Sequence, residues 1–201
     1  MVLECFGLPG SGKTTTLHAL LVQNPARFRL VRSGGLGERI AWCMLGLLRY
    51  PLLCAQFLHV MLQQASPLRR YTFHLWTMSL AETMKARVFS FLFPRITWCI
   101  DEGLTQRLIS LSDVPGVESL ERSMRGLFAR HVYLIREGGT FARFTEERIP
   151  MSPRLQVGSE AFARWKTCSE AMLVRVKPHL HPLPPHDNPH GLEQDQRIQH
   201  E

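Results

Sequence analysis

Lysine is nearly missing from this chain of 201 residues: Lys13, Lys85, Lys166 and Lys177 stand against twenty arginines. The formal net charge of +7 therefore rests on guanidinium groups, whose planar fork suits phosphate, and it favours anionic ligands in general. A codon bias toward arginine over a solvated surface would give the same excess. No run of basic residues concentrates that charge, so nucleic acid is not an expected partner. Paired cysteine spacing is lacking too. Cys5, Cys43, Cys54, Cys99 and Cys168 are scattered, odd in number and without a C-x-x-C pair, which argues against a thiolate metal site and for a reducing cytoplasm. No basic stretch leads into an apolar one at the start of the chain, so no signal peptide is expected. No zinc spacing and no Ser/His/Asp arrangement stands out. His18 and His59 read as satisfied helix residues.

Nor is there a long unbroken apolar run. The stretch from Ile40 to Leu62 is strongly apolar but carries Arg49, Pro51, Gln56 and His59. A membrane-spanning helix wants about 20 nearly unbroken apolar residues. Two amphipathic or buried helices are expected instead, with attachment to a membrane surface as the remaining option.

What the chain does contain is an alternation of short apolar runs with helical stretches, the pattern of a parallel sheet covered by helices. Strands are expected at Val2–Phe6, interrupted by Glu4, then at Phe28–Val31, Arg95–Ile100 and His131–Ile135. Helices are expected at Lys13–Gln23, Leu36 to about Gln64 with a break near Tyr50-Pro51, Tyr71–Phe91, Leu104–Leu111, Val117–Ala129 and Ser159–Leu173. A short strand at Leu173–Val176 is an option. From Lys177 the composition turns to Pro, His and Gln without periodicity, so residues 177–201 are expected to be a disordered tail and residues 1–176 the folded domain. Its histidines (His179, His181, His186, His190, His200) are read as a composition, not a metal site.

The most specific signal is Gly7-Leu8-Pro9-Gly10-Ser11-Gly12-Lys13-Thr14, a full match to G-x-x-x-x-G-K-[ST] between an apolar strand and a helix. Glycines let the backbone curl so that N–H groups converge on phosphates, and the helix start adds its positive dipole end. Lys13 would reach the β- and γ-phosphates of a nucleotide, and the Thr14 hydroxyl would be a magnesium ligand. At the end of the third expected strand, Asp101 stands where an acid can hold magnesium, directly or through water; a turn or helix-capping aspartate would look the same. Glu102 beside it is read as an acceptor-side carboxylate, with a general-base role or a plain surface position also open. Arg136, Arg143, Arg148 and Arg154 surround Gly138-Gly139, an arrangement suited to a mobile arginine-bearing lid in which Arg143 and Arg148 stabilise charge on a transferred phosphoryl group. The interspersed Glu137, Glu146 and Glu147 keep a plain charged loop open.

At these residues the chain resembles the small P-loop nucleoside and nucleotide kinases, thymidylate kinase most closely. The likeness takes in the glycine-rich loop followed by Thr15, and Leu30-Val31-Arg32-Ser33-Gly34-Gly35-Leu36-Gly37-Glu38-Arg39-Ile40, which is similar to the family's T-R-E-P-G-G-T-x-L-G-E-x-I run. It extends over roughly residues 1 to 175. Ser33 stands in place of the family's acidic residue, Asp101-Glu102-Gly103 in place of its D-R-Y, and Met78-Ser79-Leu80-Ala81-Glu82 in place of an A-D-R. The resemblance implies a three-layer α/β P-loop NTPase fold with a mostly parallel sheet of four or five strands, helices on both faces and an arginine-bearing lid. It implies ATP and magnesium as cofactors and a small, nucleotide-like or other, phosphate acceptor touched by Arg32. A nucleotide-binding switch or regulatory ATPase that passes phosphate to no small molecule is the other reading. A homodimer is left open.

Overall fold

The computed structural model describes residues 1–8, 11–64, 66–136 and 159–184. The first strand, β1 (Val2–Gly7), is buried along its whole length. The chain continues through α1 (Lys13–Gln23), β2 (Phe28–Leu30), α2 (Leu36–Arg49), α3 (Pro51–Leu62) and α4 (Ser66–Leu92). It then runs through β3 (Thr97–Ile100), α5 (Gln106–Ser110), α6 (Val117–Phe128), β4 (Val132–Arg136), α7 (Ser159–Val176), a 3-10 turn at Lys177–His179 and β5 (His181–Pro182). The five strands form one sheet in the order β2-β3-β1-β4-β5, every neighbouring pair parallel. The fold is α/β.

Alternation along the strands separates two packing layers. Leu3 and Cys5 of β1 pack with Leu17 and Leu20 of α1, Cys99 of β3 and Leu134 of β4. Phe6 and Tyr133 turn the other way, toward Leu80 of α4, Leu108 of α5, Leu120 and Leu127 of α6 and Trp165 of α7. The distribution is lopsided, and strand order explains it. Parallel crossovers are right-handed, so every connection that moves in one direction across the sheet covers the same face. In the order of the described strands, only the step from β1 to β2 moves toward the β2 edge; those from β2 to β3, β3 to β4 and β4 to β5 move the opposite way. Hence α1 stands on one face and α4 to α7 gather on the other. On that crowded side Phe57 stacks on Trp76 at 4.8 Å between ring centres, and the Trp165 indole N–H donates to the Ile109 carbonyl at 3.0 Å, tying α7 to α5.

The apolar Ile40–Leu62 stretch forms parts of two helices whose axes meet at 108°. Pro51 opens the second, where a missing N–H is tolerated. No single described helix is long and apolar enough to cross a membrane.

Several element ends differ from expectation by a residue or two, and three differences have a plain cause. The α4 helix begins at Ser66, earlier than Tyr71, because a proline at its second position suits a first turn. The α5 helix begins at Gln106 and not Leu104; the residues before it form a turn instead. The third correction concerns the tail. α7 continues to Val176 with no strand at Leu173–Val176, and a 3-10 turn and an edge strand follow it, while residues 185–201 of the expected tail lie outside the described residues. Leu180 and Leu183 are each only 6% exposed, and the Leu183 N–H donates to the Tyr133 carbonyl at 2.8 Å. A two-residue edge strand has no periodicity to betray it, and Pro182 is tolerated because an edge strand leaves one side unpaired.

Burying two leucines is worth roughly 1.5–3 kcal/mol each. A chain ending at residue 177 should therefore melt at least about 5 °C below one ending at residue 184. Equal melting temperatures, read by circular dichroism, would show that β5 does not contribute to the core.

Candidate functional site

Connections leaving the carboxyl ends of β1 and β3 travel in opposite directions and to opposite faces, which opens a crevice between these neighbours. The sequence motif lies there. Gly7 ends β1, Leu8 is buried, and Gly12 adopts φ 76°, a left-handed conformation that glycine takes freely, just before α1. Pro9 and Gly10 lie outside the described residues. Ser11 is buried, and its hydroxyl oxygen has no hydrogen-bond partner. Lys13 is buried as well, its ammonium donating one long bond, 3.4 Å, to the Leu8 carbonyl. Burial holds the Lys13 ammonium below the usual lysine value, while the carboxylates of Glu102 and Asp101 push the other way. A lysine withdrawn from water and an orphaned hydroxyl side by side fit an anion with several acceptor oxygens.

Thr14 and Asp101, 87 residues apart in sequence, meet in the crevice. The Thr14 hydroxyl lies 2.9 Å from Asp101 Oδ1 and 3.2 Å from Oδ2. Among the described residues no three His, Cys, Asp or Glu side chains form a metal-ligating cluster. Thr14 and Asp101 nonetheless supply two oxygens of the kind magnesium uses together with phosphate oxygens and water. Thr15 is exposed on α1. Glu102 is half exposed and engaged: its Oε2 accepts from the Arg107 guanidinium at 2.6 Å, while Arg107 itself is buried. Arg32 is exposed just past the end of β2, its carbonyl accepting from Lys85 Nζ at 3.1 Å. Arg143 and Arg148 lie outside the described residues, as does the Gly138-Gly139 segment and Arg154.

Several groups that hold the crevice together carry no motif. Glu4, fully buried in β1, accepts the Thr105 backbone N–H at 2.7 Å through Oε1. Its Oε2 accepts the Thr105 hydroxyl at 3.1 Å and lies 3.2 Å from His131 Nδ1. Thr105 also meets the Tyr133 hydroxyl at 3.0 Å. The turn that follows Asp101 comes so close to this carboxylate that a Cβ at Gly103 would sit 2.4 Å from Glu4 Cδ. Three residues further on, the Gln106 amide grips Gly7 twice, donating to its carbonyl at 3.0 Å and accepting its N–H at 3.2 Å. The end of β1 and the turn after β3 are thus fastened at two points.

On the β2 side, Ser33 donates from its backbone N–H, at 3.0 Å, to Glu82 Oε1. A carboxylate therefore stands beside Ser33, brought from α4. Burial pushes the Glu82 carboxyl above its ordinary value, against the two bonds from Ser33. Lys85, one turn on, bonds Glu38 of α2 at 2.6 Å as well as the Arg32 carbonyl. Ser79 places its hydroxyl 2.7 Å from the Glu102 carbonyl. The only sequence signal for Glu4 is an acid in the middle of an apolar strand; Gln106, Arg107 and Lys85 have none. No known protein family and no curated protein matches the chain.

Removing the Glu4 carboxylate would leave the Thr105 backbone N–H and the His131 ring without their buried acceptor. Glu4→Ala should lower stability by about 3 kcal/mol or more, the usual penalty for breaking a buried charged network. Urea unfolding measures it, and a loss below about 1 kcal/mol would mean that the network is not what fastens the turn.

Proposed function

We propose that the chain is an ATP- and magnesium-dependent phosphotransferase of the P-loop class that acts on a small acceptor, nucleotide-like or otherwise, in a reducing compartment such as the cytoplasm. The observation that carries this reading is the meeting of Thr14 and Asp101 at 2.9 Å beside the buried Lys13 ammonium, at the crevice between β1 and β3. Lys13 would lie against the β- and γ-phosphates, and binding such an anion would return to the ammonium the stabilisation that burial removes. Ser11 would donate its hydroxyl to the same phosphates. Thr14 and Asp101 would hold magnesium, which when bound neutralises charge on the phosphate oxygens. Arg32 and Glu102 flank the acceptor side, and Arg143 and Arg148 would place guanidinium groups against the transferred phosphoryl group.

One observation favours a second reading. Glu102 is already paired with Arg107, so it is not poised to take a proton from an acceptor hydroxyl. A regulatory ATPase or switch, with no small-molecule acceptor, accommodates that pairing.

The two readings part on acceptor dependence. A thermal-shift panel of nucleotides, nucleosides and sugars with magnesium comes first; a ligand at 100 times its Kd adds about 2.7 kcal/mol. Lys13→Ala should abolish turnover in a chain that stays folded by circular dichroism. Asp101→Asn should weaken magnesium-dependent nucleotide binding and turnover together. Arg143→Ala or Arg148→Ala should lower kcat about 100-fold or more with little change in ATP affinity. Activity of Lys13→Ala within a few fold of the parent would sink the phosphotransferase reading. Hydrolysis insensitive to every acceptor that binds, with both arginines dispensable, would leave the switch.

A further inference from the structure

A second concentration of positive charge lies away from the crevice. Tyr50 occupies the joint between α2 and α3, and two guanidinium groups lie over its ring: Arg49 at 5.6 Å and Arg87, from α4, at 5.4 Å from the ring centre. Arg130, exposed on the turn from α6 into β4, adds its charge to the same region; burial, and after it the charges of Arg130 and Arg49, hold the Arg87 guanidinium below its ordinary value. That turn lies at the amino edge of the sheet, whereas Lys13 and Asp101 lie at the carboxyl edge. Among the described residues no carboxylate forms an ion pair with Arg49, Arg87 or Arg130. Two polar atoms in the cluster, Arg87 Nη1 and the Tyr50 hydroxyl, are buried with no hydrogen-bond partner.

Such an arrangement works against the fold. Like charges brought together repel, and a buried donor left without an acceptor costs about 1–3 kcal/mol. The attraction of each guanidinium for the phenol ring offsets part of this, about 0.5–1 kcal/mol near a surface. Outward the cluster presents the exposed Arg49 fork and the half-buried Arg87 guanidinium, with the Tyr50 hydroxyl and Arg87 Nη1 beneath them. A carboxylate would engage one fork. A tetrahedral phosphate, doubly charged and with several acceptor oxygens, can accept from both forks at once.

We propose that Arg49, Arg87 and Tyr50 form a second anion site, specific for a phosphate group and separate from the Lys13 crevice. Arg130 strengthens its field. The phosphate belongs either to a free ion or small phosphorylated molecule or to a lipid headgroup. The latter source is included because Leu48 and Leu52, on either side of the Arg49–Pro51 joint, are each 78% exposed. The inference does not depend on what the Lys13 crevice binds.

The test uses the full chain carrying Lys13→Ala, which removes the crevice lysine's contribution from every arm. Inorganic phosphate is titrated by calorimetry against chloride at matched ionic strength. Sedimentation with phosphatidylcholine vesicles, with and without phosphatidic acid, is run in parallel. Binding of inorganic phosphate assigns a free phosphate source, and capture by the phosphatidic acid vesicles alone assigns the headgroup. In either case Arg87→Gln should weaken binding about tenfold or more, as loss of one charge-assisted pair implies, and Tyr50→Leu, which removes the ring that both guanidiniums lie over, should weaken it a few fold. Arg49→Gln changes an exposed side chain and carries the test should Arg87→Gln fail to fold. The proposal is overturned if neither phosphate nor phosphatidic acid vesicles bind, or if binding is indifferent to Arg49→Gln and Arg87→Gln.

Discussion

The crevice depends on a carboxylate shut away from the surface. Glu4 sits in the middle strand, where an apolar side chain would be the cheaper choice, and a buried acid is costly unless its oxygens are occupied. Both are: one by the Thr105 backbone N–H, the other by the Thr105 hydroxyl and the His131 ring. The return for that burial is position. The loop carrying Asp101 has no room to drift, since Gly103 is in contact with Glu4 and Gln106 holds Gly7 by two bonds. The meeting of Thr14 with Asp101 follows from these anchors more than from any attraction between the two.

Much of this architecture is written in local patterns. The apolar strands, the break at Pro51, the glycine-rich motif and the acid that ends β3 are all features a few residues wide, and a reader of the sequence finds them by period and punctuation. Ser33 and its neighbours could likewise be marked as the end of β2. The fastening is different in kind. Glu4 reaches a residue 101 positions away, Gln106 one 99 positions away and Ser33 one 49 positions away. No periodicity encodes such pairs; only the strand order brings them together. The tail shows the same limit at small scale. Leu180 and Leu183 are two apolar residues in a stretch dominated by proline and histidine, and their burial depends on finding the open side of β4.

The lysines, so few in number, are not spread evenly over tasks. Lys13 lies buried in the crevice, and Lys85 joins the end of β2 to the start of α2 by bonding the Arg32 carbonyl and Glu38 together. A compact ammonium with three rotatable donors suits such multi-point junctions, whereas the arginine fork suits planar and bidentate partners. Arginine accordingly appears where a flat group is met: on the Glu102 carboxylate, on the Glu118 and Glu121 carboxylates and on the Tyr50 ring.

The sheet is bounded by its two shortest strands, β2 with three residues and β5 with two. An unpaired strand edge is a template on which another chain can assemble, and the risk grows with the length of regular backbone on offer. Here one rim ends after three residues and the other after two, with a proline at the second. The long strand, β1, is sealed in the interior between β3 and β4. A parallel sheet arranged this way hides its stickiest backbone at its centre, and the fold carries its own protection against edge-to-edge aggregation.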